Sequence, residues 1–314
     1  MTRKVLWRLI QEAIAAWQQD KASRLAAALS YYAIFSVTPL IVVIIAIAGS
    51  LFGEAAARGQ IIAQIQGSVG PEGAAFIQSL LENAGRGGAG SGLFASVIGI
   101  ILLLFGATGL FVELQDALNT VWGVTAKPNR GVKNFLRNRA LSFVMVLSIG
   151  FLLLASLVLS AVLASLSRFT DSNLFELGRF WQITNLAVSF GVIVLLFATI
   201  YKLLPDVRIP WSDVWVGASI TALLFMIGRS LLGLYLGNTA FSSTYGAAGS
   251  LIILLVWFYY SAQILFFGAE FTKVYANRYG SRIQPNRHAV AVELVTVEAS
   301  SSDSSTAERE NSES

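Results

Sequence analysis

The pattern of hydrophobic and polar positions near the C-terminus predicts a membrane-spanning helix over residues 246–271. Its single formal charge is Glu270, at the far end, and Leu, Ile, Val and Phe fall on every side of the helix. An α-helix rises 1.5 Å per residue, so the segment spans about 39 Å, enough to cross a hydrocarbon layer about 30 Å thick. A helix that is apolar on every side belongs in a large protein core or in lipid.

Five more segments have the length and composition of membrane-spanning helices. They are residues 25–52, 93–113, 140–166, 183–204 and 214–236. With the last segment they predict an all-α integral membrane bundle of six transmembrane helices, which forms one domain over 25–277. Pro39 lies near the middle of the first helix and removes one of its hydrogen bonds. This position indicates either a packing kink or a broken helix that lines a cavity.

The N-terminal residues 1–24 are predicted to form an amphipathic interfacial helix, because apolar residues recur at helical spacing over 3–19. Two placements of this helix are compatible with the pattern. It lies either in the membrane surface, with its basic side toward anionic lipid, or against the cytoplasmic end of the protein itself.

Two polar regions flank or interrupt the spans. The first external loop is predicted to contain two short amphipathic helices, split by Gly70-Pro71 and followed by a flexible glycine-rich joint at 85–92. Residues 278–314 are predicted to be a disordered polar cytoplasmic tail. The last part of this tail is rich in serine and acidic side chains and offers almost nothing to bury.

The amino-acid composition excludes several classes of chemical site. Of the 314 residues, 13% are charged, about half of the roughly 25% found in globular proteins. There is no cysteine, and the only histidine, His288, lies in the polar tail. These counts exclude disulfides, thiolate metal sites, histidine clusters for zinc and a serine–histidine–aspartate triad. We therefore expect no enzymatic activity, no cofactor and no resident metal.

The distribution of lysine and arginine predicts the topology, because cytoplasmic loops keep the excess of these residues. With six spans, seventeen of them lie in the two terminal segments and in the second and fourth connections, and four lie in the other three connections. This split places both termini in the cytoplasm. With an odd number of spans the lysine and arginine residues would no longer separate in this way between the two sides.

Arg229 is the charge that lies deepest in a predicted span. It indicates either a side chain that snorkels to the outer headgroups or an anion-binding guanidinium in a cavity. No carboxylate lies at the same depth in another predicted span, so the sequence offers no obvious ion-pair partner.

Four acids map to the cytoplasmic ends of spans: Glu113, Asp116, Asp213 and Glu270. They indicate either interfacial pairing with the basic loop at 123–139 or a cluster at the inner mouth of a pathway, coupled to a proton or another cation. A cytoplasm-facing Mg²⁺ site is a further alternative. The full set of candidate pathway residues is Tyr31, Tyr32, Ser36, Pro39, Glu113, Asp116, Asn119, Arg229, Tyr245 and Glu270.

Four stretches of the chain carry a family resemblance: AAALSYYAIFSVTPLIV at 26–42, DALNTVW at 116–122, LPDVRIPWSDVWVGA at 204–218 and STYGAAGSLIILLVWFYYSAQILFFGAE at 243–270. Together they resemble the YihY/virulence factor BrkB family. The resemblance implies a multi-pass protein of the bacterial cytoplasmic (inner) membrane, with six spans and cytoplasmic termini. Family members have been linked to serum resistance, lipid or glycolipid export and solute export, and the label ribonuclease BN that some carry is a misassignment. The family has no established catalytic residue, so none is carried over.

Three functions from different classes follow from these observations. The leading hypothesis is a transporter, exporter or flippase-like protein for a lipid or a small polar or anionic solute. The second is a non-transporting membrane scaffold or envelope-assembly factor. The third is a ribonuclease, but its basic loop is already explained by topology. The expected partners are membrane lipids and a lipid or small-solute substrate, without nucleic acid, and homo-oligomerisation stays open.

Overall fold

The computed structural model of this chain describes residues 3–88, 109–126, 175–238, 247–281, 283–286 and 289–292. These residues are mostly helical, as the sequence predicts. Numbered in chain order, their helices are α1 (Arg3–Gln19), α2 (Ala22–Phe52), α3 (Glu54–Gly88), α4 (109–121), α5 (Phe175–Leu203), α6 (Trp211–Asn238) and α7 (Ala247–Tyr279).

Three helices in the described part of the chain are long and apolar enough to cross a membrane. The qualifying segments are Leu186–Leu203 in α5, Trp211–Gly233 in α6 and Gly249–Tyr279 in α7. They coincide with the last three predicted spans, and the first predicted span lies within α2. Most of the second predicted span and all of the third lie outside the described residues, so the count of six stays a prediction.

The last helix, α7, is the one against which the others pack. α1, α2, α3 and α6 all contact it. α2 runs alongside it in the opposite direction, since Ala26, early in α2, shares a buried apolar cluster with Ala269, while Ile41, later in α2, shares another with Leu254. The segment that the sequence pattern singles out first is therefore the centre of the described structure.

α1 occupies the residues predicted for the N-terminal helix. Its buried face, Leu9 and Ala13, packs against Phe271 near the C-terminal end of α7. Trp7 and Ile14 lie on the outward side of α1 and are exposed. Of the two placements considered, the structure shows docking on the protein itself, so the N-terminal helix and the end of the last helix lie at the same end of the molecule.

Glycines hold α6 and α7 close together. A Cβ added at Gly217 or Gly228 of α6 would overlap Thr272 or Tyr260 of α7, and one added at Gly268 of α7 would overlap Thr221 of α6. Small residues at a helix interface allow the backbones to approach in this way, which is the usual packing device in a membrane. The contacts recur along the two helices, so α6 and α7 form a closely packed antiparallel pair.

α3 contains the break that the sequence predicts in the first external loop. Gly70 has a non-helical backbone (φ 83°, ψ 172°), and Pro71 begins the second half of the helix. The flexible joint predicted from residue 85 is wrong as far as Gly88, because the helix continues to that residue. The second half is anchored by Ile77 and Leu81, which join the apolar cluster with α2 and α7, and this packing outweighs the local preference of the glycines.

Four short strands within the described residues correct the purely helical prediction: β1 (Val124–Ala126), β2 (Val207–Arg208), β3 (Gln284–Pro285) and β4 (Ala289–Ala291). β1 pairs with β4 and β2 pairs with β3, both antiparallel. The prediction of disorder from residue 278 onward is therefore wrong for the start of that tail. Its backbone finds partners in the loops after α4 and α5, and the Ala289 side chain is buried. Residues 293–314 lie outside the described part.

Candidate functional site

Glu270 on α7 is the most deeply buried charged side chain among the described residues, with 0% exposure. Its neighbours Ala269 and Phe271 are also fully buried. Neither of its carboxylate oxygens accepts a hydrogen bond from any described residue. A carboxylate that loses its hydration without gaining hydrogen bonds is destabilised by several kcal/mol unless a countercharge offsets the loss.

The countercharge is Lys273, about one turn further along α7. Its ammonium lies 3.4 Å from Glu270 Oε2 and 3.0 Å from Asp20 Oδ2, so two carboxylates share one cation. Lys273 donates a hydrogen bond to Asp20, and Glu270 keeps only the longer ionic contact. Asp20 reaches this place because Lys21 adopts a left-handed conformation (φ 52°) that turns the chain between α1 and α2. We call Asp20, Lys273 and Glu270 the acid–lysine cluster.

Other buried polar groups around α7 differ in how well they are satisfied. The hydroxyl of Tyr201 on α5 donates to the carbonyl of Leu265 (2.7 Å) and lies 3.1 Å from Thr221 Oγ1 on α6. By contrast, the buried Oε1 of Gln263 accepts no hydrogen bond within the described structure. Gln263 and Glu270 are seven residues apart, close to two turns, so they lie on the same side of α7. This side of the helix therefore carries two buried acceptors that lack donors among the described residues.

Arg229 has a partner that the sequence does not suggest. Its Nη2 donates to the backbone carbonyl of Gly67 on α3, at 2.6 Å. In an unbroken helix that carbonyl would accept the N–H of residue 71, but residue 71 is proline and has none. The guanidinium therefore satisfies an acceptor that the break in α3 leaves open, and it does so at the negative end of a helix dipole. We call this contact the α3 latch.

Asn119 joins α4 to the turn that follows α5. Its Oδ1 accepts the backbone N–H of Asp206 at 2.8 Å, and its Nδ2 donates to Asp206 Oδ2 at 3.2 Å. Asp116 lies one turn earlier on the same helix. Loss of surrounding water and the negative charge of Asp206 raise the pKa of the Asp116 carboxyl above its ordinary value. Asn119 thus has a structural role, and Asp116 lies in an acidic surrounding.

The four acids that were predicted to lie at the cytoplasmic ends of spans do not form one cluster in the described structure. Glu113 and Asp116 lie on α4, Asp213 accepts the backbone N–H of Ser281 (3.3 Å), and Glu270 contacts Lys273. Within the residues described, no three histidine, cysteine, aspartate or glutamate side chains are grouped as a metal site would require. Pairing of these acids with residues 127–139 involves a segment outside the described part and stays a prediction.

The remaining candidate pathway residues, those on α2 and Tyr245, do not share one environment. Tyr31 and Tyr32 are exposed on α2 and form edge-on ring contacts, Tyr31 also with Phe35. Ser36 is buried one turn later. α2 is helical through residue 39, so of the two interpretations of Pro39 the broken helix is wrong, and the packing kink stays a prediction. Tyr245 lies outside the described residues.

A sequence model of the virulence factor BrkB family matches residues 13–293 of this chain. The chain belongs to that family. Its similarity to curated proteins agrees: a UPF0761 membrane protein of Acinetobacter baylyi is 25% identical over 94% of this chain and 68% of its own length. A UPF0761 membrane protein of Azotobacter vinelandii is 28% identical over 84% of this chain and 61% of its own. A third, from Alteromonas mediterranea, is 29% identical over 81% of this chain and 83% of its own.

These comparisons confirm the family and show that the protein is membrane-bound, whereas the inner-membrane location and the cytoplasmic termini stay predictions. The chain spans about three fifths of the length of several of these BrkB-family relatives. No solved structure matches the chain.

The long-range partners in the acid–lysine cluster and the α3 latch cannot be read from the sequence. Asp20 and Lys273 are 253 positions apart, and Gly67 and Arg229 are 162 apart. No periodicity within either segment reports such a contact. The signal that was available for the α3 latch was Gly70-Pro71 itself, since a proline in that position leaves a carbonyl in need of a donor.

Proposed function

We propose that this BrkB-family protein moves a lipid or a small polar solute across the bacterial cytoplasmic membrane, and that Glu270 takes part in that movement. The proposal includes no enzymatic step and no nucleic acid. It places both termini in the cytoplasm. The charge distribution supports that orientation, and the docking of α1 on the end of α7 supports that both lie on the same side of the membrane.

The observation that carries the proposal is the burial of Glu270. It sits in a helix long and apolar enough to cross a membrane, with 0% exposure and without a hydrogen-bond donor among the described residues. Ionisable side chains in such helices are rare because they are costly, and those that occur typically serve transport pathways or proton relays. Removing the carboxylate would relieve this cost, so stability alone gives no reason to keep an acid here.

The α3 latch changes the expected charge of the substrate. One Arg229 nitrogen is already engaged by the Gly67 carbonyl, and the contact joins two parts of the protein. Arg229 is therefore a weaker candidate for binding an anionic solute, and the proposal does not require a negatively charged substrate. The buried acceptors of Gln263 and Glu270 instead favour a group that donates hydrogen bonds or carries positive charge.

The test uses purified protein in proteoliposomes. Lipid movement is followed by dithionite quenching of a fluorescent phospholipid, and solute flux by release of trapped fluorescent amines and sugars. We expect wild-type protein to accelerate at least one of these over empty liposomes, and Glu270→Gln to abolish the acceleration. Glu12→Gln is the matched control, because Glu12 also contacts α7, through Arg278, but is exposed. Equal flux in wild type and Glu270→Gln would refute the role of Glu270.

One observation favours a second function, a membrane scaffold. The outward side of α1 exposes Trp7 and Ile14, next to the exposed basic residues Arg3, Lys4 and Arg8. Such a side suits a membrane surface or a partner helix. A scaffold is the better assignment if no substrate moves in the liposome assay while Trp7→Ala disrupts envelope integrity in cells.

A further inference from the structure

The acid–lysine cluster contains more acid than base. Asp20 and Glu270 both contact the ammonium of Lys273, and no second cation contacts either carboxylate among the described residues. If all three groups are ionised, one net negative charge remains. The side chain of Asp20 is 11% exposed, that of Lys273 22% and that of Glu270 0%, so the charge without a partner falls in the driest position.

The surroundings of Glu270 supply nothing else to offset that charge. The α1–α2 turn contributes Asp20 to the cluster. α2 contributes the apolar residues Ala22 and Ala26 to the neighbouring core. α6 faces this part of α7 with Gly217 and Thr221. The hydroxyl of Tyr201, on α5, is already committed to the Leu265 carbonyl. Within the described residues, Glu270 is a fully buried carboxylate with one shared cation and no hydrogen-bond donor.

We propose that the acid–lysine cluster binds one exchangeable proton, carried on Glu270, and that this proton is the coupling ion. The second half of this statement rests on the proposed transport function. In the step itself a proton adds to Glu270 Oε1 or Oε2, which forms an O–H bond and neutralises the carboxylate, while Lys273 stays paired with Asp20. Release of the proton restores the carboxylate, which then depends on the longer contact with Lys273. No oxidant or other reactant is needed.

A proton suits this cluster better than a metal ion. Mg²⁺ and Ca²⁺ take six or more oxygen ligands, and Mg²⁺ bound through one or two carboxylates keeps several waters, whereas Glu270 is fully buried and an ammonium lies between the two carboxylates. The ammonium would repel a metal at the same place. A proton needs one oxygen, and it removes the net charge that makes the site costly.

The first experiment measures the proton directly and does not depend on transport. Infrared difference spectra of the full-length protein in lipid nanodiscs are recorded over a pH titration, with the carbonyl stretch of protonated carboxylic acid as readout. We expect a band that disappears as pH rises, that shifts in D₂O, and that is absent in Glu270→Gln. The control Glu12→Gln should keep it. A band unchanged in Glu270→Gln, or no titrating carboxyl band at all, would overturn the proposal.

A second variant keeps the test decisive if Glu270→Gln does not fold. Lys273→Met removes the only cation in the cluster, so the neutral carboxyl is favoured and the band should persist to higher pH than in wild type. An unchanged or lower midpoint contradicts the proposal. Flux measured over the same pH range separates the two claims. A Glu270 band without flux in any assay leaves the proton site standing and refutes transport, whereas flux that ignores both pH and Glu270 refutes proton coupling.

Discussion

Replacing Arg229 with methionine tests the α3 latch. The substitution keeps the long apolar stem but removes the donor that reaches the Gly67 carbonyl at 2.6 Å. That carbonyl then has no donor from its own helix, because Pro71 cannot supply one. The first half of α3 should lose its hydrogen bond to α6, while the apolar cluster that holds Val69 of this half and Ile77 and Leu81 of the second half is unchanged.

The expected loss of local stability follows from the type of hydrogen bond that is removed. A hydrogen bond from a charged group contributes roughly 1.5–3 kcal/mol, and the lower figure applies here because the contact is solvent-accessible. A loss of about 1.5 kcal/mol in local stability corresponds to about a tenfold increase in the open population. Amides on either side of Gly70 should therefore exchange about ten times faster with deuterium in Arg229→Met than in wild type.

The assay is hydrogen–deuterium exchange with mass spectrometry on protein in nanodiscs. Arg58→Gln is the matched control, since it also removes an arginine next to α3, here one that belongs to α3 itself, but breaks only an exposed ion pair with Glu82 of the same helix, at 3.9 Å. Such pairs contribute about 0–1 kcal/mol. Arg229→Lys should fall between wild type and Arg229→Met. Exchange around Gly70 that is equal in wild type and Arg229→Met, or equally accelerated by Arg58→Gln, would show that the latch does not hold α3.

Three further predictions concern stability, each measured by thermal or denaturant unfolding in detergent. Gly217→Ala should destabilise the protein by about 1–3 kcal/mol because its Cβ would overlap Thr272, whereas Gly233→Ala, with open space around it on the same helix, should be neutral or slightly stabilising. Asn119→Ala should cost about 1–3 kcal/mol, since it removes both hydrogen bonds to the turn after α5. Because the folded-state pKa of Asp116 is raised, the folded protein binds that proton more tightly, and stability should fall as pH rises from the unfolded to the folded pKa. Asp116→Asn should reduce that fall, and an identical pH profile in the variant would contradict the assignment.

The sequence predicts the parts of this fold that local pattern determines. Apolar runs locate α2 and the three membrane-length helices, and the break at Gly70 follows from the conformational freedom of glycine and the missing N–H of proline. The helix at Arg3–Gln19 follows from its spacing of apolar residues. Each of these features is encoded within about one helix length, so neighbouring residues are enough to indicate it.

The features that the sequence does not predict depend on contacts between distant segments. The start of the C-terminal tail is polar and reads as unstructured, yet β3 and β4 form because the loops after α4 and α5 present free backbone edges to them. The second carboxylate that shares the cation beside Glu270 is equally hidden in the sequence. A lysine three residues away was visible, but the turn at Lys21 that brings Asp20 to the same ammonium was not.

The two ends of the α6–α7 pair suggest where the protein can change shape. Gly217, Gly228 and Gly268 bring the two backbones together along most of their length, so separating these helices would disrupt many close contacts at once. α3 is tied to the pair by apolar packing and by one charged hydrogen bond, from Arg229. α1 is tied to it by Leu9 and Ala13 and by ion pairs that include Lys273. Movements of α1 and α3 against a fixed α6–α7 pair therefore require less free energy than movement within the pair. A proton at Glu270 would act on the α1 side, because neutralising that carboxyl leaves Lys273 to Asp20 alone.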